Sequence, residues 1–263
     1  MREFSRVTFT TEYGENSPYA AVLKGEIWKR TPDVQWVDIS NQVIPNDILA
    51  AAYLLRTTAL HFPPGTIHLV AVDVNLSKYQ QLLIAHYRDQ FFVSADNGIF
   101  SILFQDEKPV IYAVSQDESL ADHPFPESVL FPAVVENLLL KKDWDTWTSP
   151  GEMKTIRKHL TPISEHNQLK GSILFIDGYQ NVITDITENE FNPMVAKWKK
   201  FEILYRRRNG ISKISNGYSN GKQGDILALF NSFGYLELAI RDGNAQSLLG
   251  LKVGGTILIE FND

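Results

Sequence analysis

Apolar and polar residues follow one rhythm in the first part of this chain and another in the last hundred or so positions. Val7 to Thr11 is β-branched and aromatic and stops at the turn-forming stretch Tyr13-Gly14-Glu15-Asn16-Ser17-Pro18, after which Tyr19 to Arg30 has helical spacing. A second unit repeats the order: Val34 to Ile39 reads as a strand, and Pro45-Asn46-Asp47 caps an apolar helix from Ile48 to Leu60. Pro63-Pro64-Gly65 then breaks the chain. Thr66 to Val72 is a nearly continuous apolar run, as expected of a strand buried on both faces of a parallel sheet, and it ends at Asp73. A carboxylate at such a strand end faces the crevice where ligands of α/β sheets bind.

Leu82 to His86 and Gln90 to Ser94 read as a pair of shorter strands, Ala95-Asp96-Asn97-Gly98 as a tight turn, and Phe131 to Leu140 as a helix. From Lys141 to Lys170 the chain is polar and irregular, which places a boundary there. Beyond it, Gly171 to Asp177, Asn181 to Ile186, Asp225 to Phe230, Tyr235 to Ile240 and Thr256 to Phe261 are strand-like runs parted by Gly and Asn turns. The pattern predicts an α/β domain over 1–150 with a mainly parallel central sheet, a linker over 151–167, and a smaller C-terminal β-barrel domain over 168–263.

Composition narrows the chemistry. With 263 residues, 44% of them hydrophobic, the chain can bury a substantial core. A net charge of -6 and 21% charged residues argue against a nucleic-acid-binding stripe and for small-molecule or protein partners. No cysteine is present, so disulfides, thiolate metal sites and cysteine nucleophiles are excluded together, and a reducing cytoplasm is the expected setting. The first residues lead straight into a strand with no apolar stretch suited to a signal peptide or membrane span.

Several motifs are dismissed on their spacing. The histidines at 61, 68, 86, 123, 159 and 166 show no metal-ligating arrangement, and His68, inside a buried-looking strand, reads as a hydrogen-bonded core residue. Asn220-Gly221-Lys222-Gln223 lacks the spacing of a phosphate loop and reads as a surface hairpin, and the basic cluster Lys197, Lys199, Lys200, Arg206, Arg207 and Arg208 as a solvated face.

A set of short motifs in fixed order runs over nearly the whole chain. Thr11-Glu12-Tyr13-Gly14, Ser17-Pro18-Tyr19 and Lys24-Gly25 are followed by Val37-Asp38-Ile39-Ser40, Ile44 to Ile48, Phe62 to Thr66 with Asp73, and Asp96-Asn97-Gly98. Ile176 to Thr184, Asn231 to Glu237 and Leu249 to Gly254 continue it in the second domain. Together they resemble the S-adenosylmethionine hydroxide adenosyltransferases, the family that includes the chlorinase and fluorinase enzymes.

That resemblance implies an α/β domain plus a β-barrel assembled as a homotrimer, with an adenosyl ligand held between one subunit's first domain and a neighbour's second. It puts Glu12 at the position that accepts from both ribose hydroxyls, and Tyr179 where an aromatic ring stacks on adenine. Asn181 and Asp177 stand beside that ring, and Asn231 and Ser232 match positions that meet the methionine carboxylate. Ser17 stands where an aspartate would pair with the methionine ammonium. Tyr19, Asp96 and Asn97 complete the ligand-contact candidates, with a purely structural role as the alternative for the Asp96-Asn97-Gly98 turn. Neither cofactor nor metal is implied, because neutral methionine leaves unaided from a sulfonium.

The family's water-activating trio is Asp, Arg and His. Asp73 keeps the first place, but Gln80 stands at the arginine position and Pro126 at that of the histidine, with His123 as a nearby substitute. Phe91 to Asp96 leaves no room for the extra segment of the halide branch. The implied activity is hydrolysis of S-adenosylmethionine to adenosine and methionine, slow or re-specialised. The alternative is a catalytically silent binder of adenosine or S-adenosylmethionine.

Overall fold

The computed structural model describes residues 5–76, 80–105, 107–117, 120, 123–158, 161–206 and 209–263. The chain forms two compact units, Met1–His159 and Leu160–Asp263.

The first unit begins with β1 (Arg6–Thr11), α1 (Tyr19–Arg30), β2 (Gln35–Ser40), α2 (Ile48–Thr58) and β3 (Ile67–Ala71). It continues with β4 (Leu82–Tyr87), β5 (Gln90–Ala95), α3 (Ile99–Phe104), β6 (Val110–Val114), α4 (Glu127–Leu139) and β7 (Thr148–Pro150). The strands make one seven-stranded sheet in the order β2-β1-β3-β5-β4-β6-β7. Val7, Phe9, Ile67, Leu69 and Ala71 share a core with Leu23 and Ile27 of α1 and Phe131, Val134 and Val135 of α4. The alternate residues of β1 and β3 point to the opposite face. There Thr8 Oγ1 lies 2.7 Å from His68 Nδ1 in full burial, so His68 is the core residue its strand predicts. Asp47 caps α2 by accepting the Ala50 N–H at 2.9 Å.

The sheet is mixed rather than mainly parallel. The β1–β2, β1–β3 and β3–β5 pairs are parallel, whereas β4–β5, β4–β6 and β6–β7 are antiparallel. The difference starts at a two-residue turn: Arg88 and Asp89 both have positive φ, 49° and 56°, which folds β4 back on β5. The short strands β6 and β7, the second of them inside the polar stretch around residue 148, then continue the antiparallel half. Residues 151–158, expected as linker, have no regular structure but are tied to the first unit: the Gly151 N–H donates to Ile111 O at 3.0 Å, and Thr155 Oγ1 donates to Asp96 O at 2.8 Å.

The second unit contains β8 (Ile163–Glu165), β9 (Gln168–Ile176), β10 (Val182–Thr187), α5 (Glu188–Trp198), β11 (Lys200–Arg206) and β12 (Asn209–Ile211). After these come β13 (Ile226–Phe230), β14 (Tyr235–Ile240), α6 (Ala245–Leu249) and β15 (Thr256–Asn262). Its eight strands pair antiparallel in the order β12-β11-β15-β9-β10-β14-β13, with β8 beside β9. A bridge between Ile214, just past β12, and Ala228 of β13 joins the two ends of that order, so the sheet is nearly closed and barrel-like. The helix α5 starts in a capping box between Thr187 and Glu190 and buries Phe191. The basic cluster is divided among the end of α5 (Lys197 and its C-cap Lys199) and the two ends of β11 (Lys200 and Arg206), while Arg207 and Arg208, like His159, lie outside the described residues. Residues 220–223 lie in a run of turns between β12 and β13, not in a hairpin.

Candidate active site

The connection leaving β1 runs through α1 to β2 on one side of it, whereas β3 lies on its other side and pairs onward to β5. The crevice at such a divergence opens beyond the strands' carboxyl ends. Glu12 directly follows β1 and Asp73 follows β3 by two residues, so the topology alone brings the two acids together. Glu12 is bound by backbone: its Oε1 accepts the Asp73 N–H at 3.0 Å and its Oε2 the Asn46 N–H at 2.5 Å. Asp73 takes a left-handed φ of 51°, and Asn97 Nδ2 secures the strand end by donating to Val72 O at 2.7 Å. The Asp73 carboxylate pairs with Arg157, whose Nη2 lies 3.1 Å from Oδ2.

Beside these residues lies a cleft of about 330 Å³ lined by Glu12, Tyr13, Tyr19, His123, Phe125 and Glu127, among others. The rings of Tyr13 and Tyr19 pack on Phe125, with centroids 5.6 and 5.0 Å away. The Tyr13 hydroxyl donates to Glu127 Oε1 at 3.3 Å. Burial raises both groups above their ordinary pKa, and for Tyr13 the neighbouring Glu127 carboxylate adds to the rise. His123 enters the cleft, but its Nδ1 accepts the Phe125 N–H at 3.0 Å, so its ring is held by its own loop. Pro126 occupies the N-cap of α4 with a helical φ of -64°.

In the second unit, Asp177 organises a loop in which Oδ1 accepts the Tyr179 and Asn181 N–H groups at 2.9 and 2.8 Å, while Oδ2 accepts from Asn181 Nδ2 at 3.2 Å. This leaves the Tyr179 ring 83% exposed. It borders a cleft of about 740 Å³ that also includes Tyr218, Arg241 and Asp242. Asn231 supports its own turn by accepting from the Phe233 and Tyr235 amides, and its Nδ2 donates to the buried Glu237 at 3.3 Å. Ser232 is exposed at the tip of that turn.

The candidates therefore separate by role. Glu12, Tyr19 and His123 line the first cleft, and Asp177, Tyr179 and Asn181 the second. The Ser17 hydroxyl lies 3.4 Å from the Tyr19 N–H at the start of α1. Asp96 and Asn97 are builders: Asp96 accepts the Lys154 and Thr155 amides, and Asn97 is buried with its side chain spent on backbone. Gln80 Oε1 accepts the Asn75 N–H, and among the described residues the ion-pair partner of Asp73 is Arg157. Sequence reasoning missed Arg157 and Glu127. Arg157 stands 84 residues from Asp73, and no spacing rule reaches that far. Glu127 adjoins Pro126, so an acid flanking an expected catalytic position was the available signal. Among the described residues, no group of three or more His, Asp or Glu could hold a metal ion. No helix among them is long and apolar enough to cross a membrane.

A mixed α/β sheet with two acids at its crevice, followed by a barrel-like domain, is the architecture of a defined class. The SAM hydroxide adenosyltransferase N-terminal domain matches residues 7–146 and the corresponding C-terminal domain residues 171–258, so the chain belongs to the SAM hydroxide adenosyltransferase family. It is 26% identical over 257 residues to the (R)-S-adenosyl-L-methionine hydrolase of Methanocaldococcus jannaschii, covering 93% of this chain and 92% of that protein. A hydrolase of the same name from Thermus thermophilus is 24% identical, with 94% and 96% covered. The fold is shared with a solved structure of an uncharacterized conserved protein from Thermotoga maritima, with a TM-score of 0.85 at 24% identity over 96% of this chain and 99% of the other.

Proposed function

We propose that the protein hydrolyses S-adenosylmethionine to adenosine and methionine. The observation that carries this reading is the Glu12–Asp73–Arg157 constellation at the sheet crevice, in a chain collinear with named hydrolases over nearly its whole length. In the reaction a water oxygen attacks the ribose 5′ carbon, the carbon–sulfur bond breaks, and its electron pair stays on sulfur. Methionine leaves as a neutral thioether, and the water's second proton is released. The protein has to supply an oriented, partly desolvated water, and alignment of this kind lowers barriers strongly. Asp73 is the group that orients it, and Glu12, already held by two amides, is the acceptor for the ribose hydroxyls. No metal or other cofactor enters the chemistry.

The assembly that goes with this reading is a homotrimer in which Tyr179 of one copy stacks on the adenine held at the Glu12 cleft of a neighbour. A cytoplasmic setting fits a chain without cysteine. A second reading, a silent binder of adenosine or S-adenosylmethionine, is favoured by Pro126 standing where a proton acceptor is expected. Incubation with S-adenosylmethionine in ¹⁸O-labelled water separates the two. The hydrolase reading expects labelled adenosine and unlabelled methionine, whereas saturable binding without product supports the silent binder.

A further inference from the structure

We infer that Arg157 is the positioning residue that holds Asp73 in line for water attack, and that residues 154–157 are thereby part of the active site. The inference deepens the hydrolase reading and rests on it. Asp73 lies beyond the end of β3, and its side chain is 32% exposed, so without a partner its carboxylate has room to turn. Arg157 supplies that partner at 3.1 Å.

The guanidinium is itself immobilised. Its Nε donates to Asn97 O at 2.7 Å, which leaves Nη2 aimed at Asp73 Oδ2. The backbone around it is pinned as well: the Arg157 N–H donates to Ser101 Oγ at 2.9 Å, and that hydroxyl lies 3.1 Å from Arg157 O. Upstream, the Lys154 and Thr155 amides donate to Asp96. The stem of the arginine lies against Gly98, where a Cβ would come within 2.5 Å of Arg157 Cγ. An irregular strap is thus fastened across the turn between β5 and α3 at several points, and the product of the fastening is one charged fork on one carboxylate.

Stability does not account for this. Arg157 is 48% exposed, and ion pairs this open to solvent contribute little to folding. A planar fork that grips a carbonyl and a carboxylate together fixes direction, which a lysine ammonium cannot do. With Oδ2 engaged, Oδ1 is the oxygen available to accept from a water. Gln80, engaged with Asn75, does not duplicate the role.

The test is steady-state hydrolysis of S-adenosylmethionine by the natural protein, Arg157→Ala and Arg157→Lys, with and without guanidinium chloride at non-denaturing millimolar concentration. Arg157→Ala is expected to lower kcat about 10²-fold, the cost of a misplaced reacting group, with KM little changed. Guanidinium should restore about a tenth of the lost rate in that variant and nothing in the natural protein, and Arg157→Lys should fall between the two. A kcat for Arg157→Ala close to that of the natural protein overturns the inference, as does a loss that guanidinium leaves untouched. If the natural protein itself releases no adenosine, the hydrolase reading fails separately and crystal structures of the natural and Arg157→Ala proteins decide: an Asp73 carboxylate in the same rotamer in both overturns the positioning role, and one that has turned or spread supports it.

Discussion

Glu12 Oε1 accepts the backbone N–H of Asp73 at 3.0 Å, so the acid assigned to the ribose also fixes the backbone of the acid assigned to water. Its other oxygen accepts from Asn46, which ties three loops to one carboxylate. Glu12→Ala is therefore expected to lose both structure and binding: about 1 to 3 kcal/mol in chemical denaturation, from charge-assisted bonds left unmade, together with most of the adenosine affinity. Glu12→Asp keeps the charge, but one methylene shorter it reaches only one of the two amides, and about half of the denaturation effect should appear. Full stability of both variants would show that the carboxylate is not the tie described.

Tyr179 offers an exposed ring whose loop is organised by Asp177 and does not depend on the ring itself. Tyr179→Ala should leave the unfolding midpoint unchanged while weakening adenosine binding by about 1 to 3 kcal/mol, the range for an aromatic stacked on a base. Calorimetry checks this directly. Equal affinity in the two proteins would remove the ring from the adenine site.

Pro126 stands at the start of α4 in a conformation open to other residues. Pro126→His is expected to raise adenosine release by about tenfold or more, since a positioned imidazole can take the proton of the attacking water. Gln80→Arg alone should add nothing, because Asp73 already carries Arg157 and the change frees the Asn75 amide. Loss of the proline's fixed backbone angle costs about 0.4 to 1 kcal/mol of stability, small enough for the variant to fold. Chromatography of the released nucleoside decides, and a folded Pro126→His no faster than the natural protein ends the idea that this position lacks only its base.

His68 in the first unit and Asp185 in the second are expected to answer acid in opposite directions. Burial lowers His68 from 6.5 to about 4, so the folded state binds fewer protons than the unfolded chain. Its contribution to the first unit is full above pH 6.5 and is lost as pH falls toward 4. Burial raises Asp185 from 3.8 to about 6, so its contribution to the second unit is full below pH 3.8 and is lost as pH rises through 6. Each shift corresponds to about 3 kcal/mol. Glu127, raised by burial, opposes His68 in the first unit, so hydrogen exchange, corrected for its intrinsic pH dependence, should show protection in β1 and β3 falling less on acidification in His68→Gln than in the natural protein, while that in β9 and β10 rises. Asp185→Asn should shrink the second trend, with the buried Glu237, also raised by burial, supplying the remainder, and a trend that the substitution leaves unchanged would contradict the Asp185 assignment.

Much of this was legible in the chain because it is local. Short β-branched, aromatic and apolar runs marked β1, β3, β4 and β5 and the five long strands of the second unit, and the continuous apolar run ending at Asp73 pointed to a crevice acid. What escaped depends on pairing partners distant in sequence. The strands β6 and β7 are short, and nothing in Thr148-Ser-Pro shows that it pairs with Val110–Val114. Lys200–Arg206 has charges at both ends that mask a strand held by β15. Resemblance leaves Asp96 and Asn97 open to a ligand-contact or a structural role, and only their hydrogen bonds show what they hold within the chain. Arg157 was hidden most completely, since polar irregular sequence looks alike whether it hangs free or is fastened down.

The fastening of residues 154–157 has a practical corollary for anyone dividing this molecule for expression. A fragment stopped at residue 146, where the family's N-terminal domain match ends, would lack β7 as well as the strap. One stopped at residue 150 would keep every strand of the first sheet yet leave Asp96 without its amide donors and Asp73 without a cation. Such a piece could be monodisperse and well folded by circular dichroism and still misreport what the domain can bind, so the shortest faithful fragment has to run past Arg157.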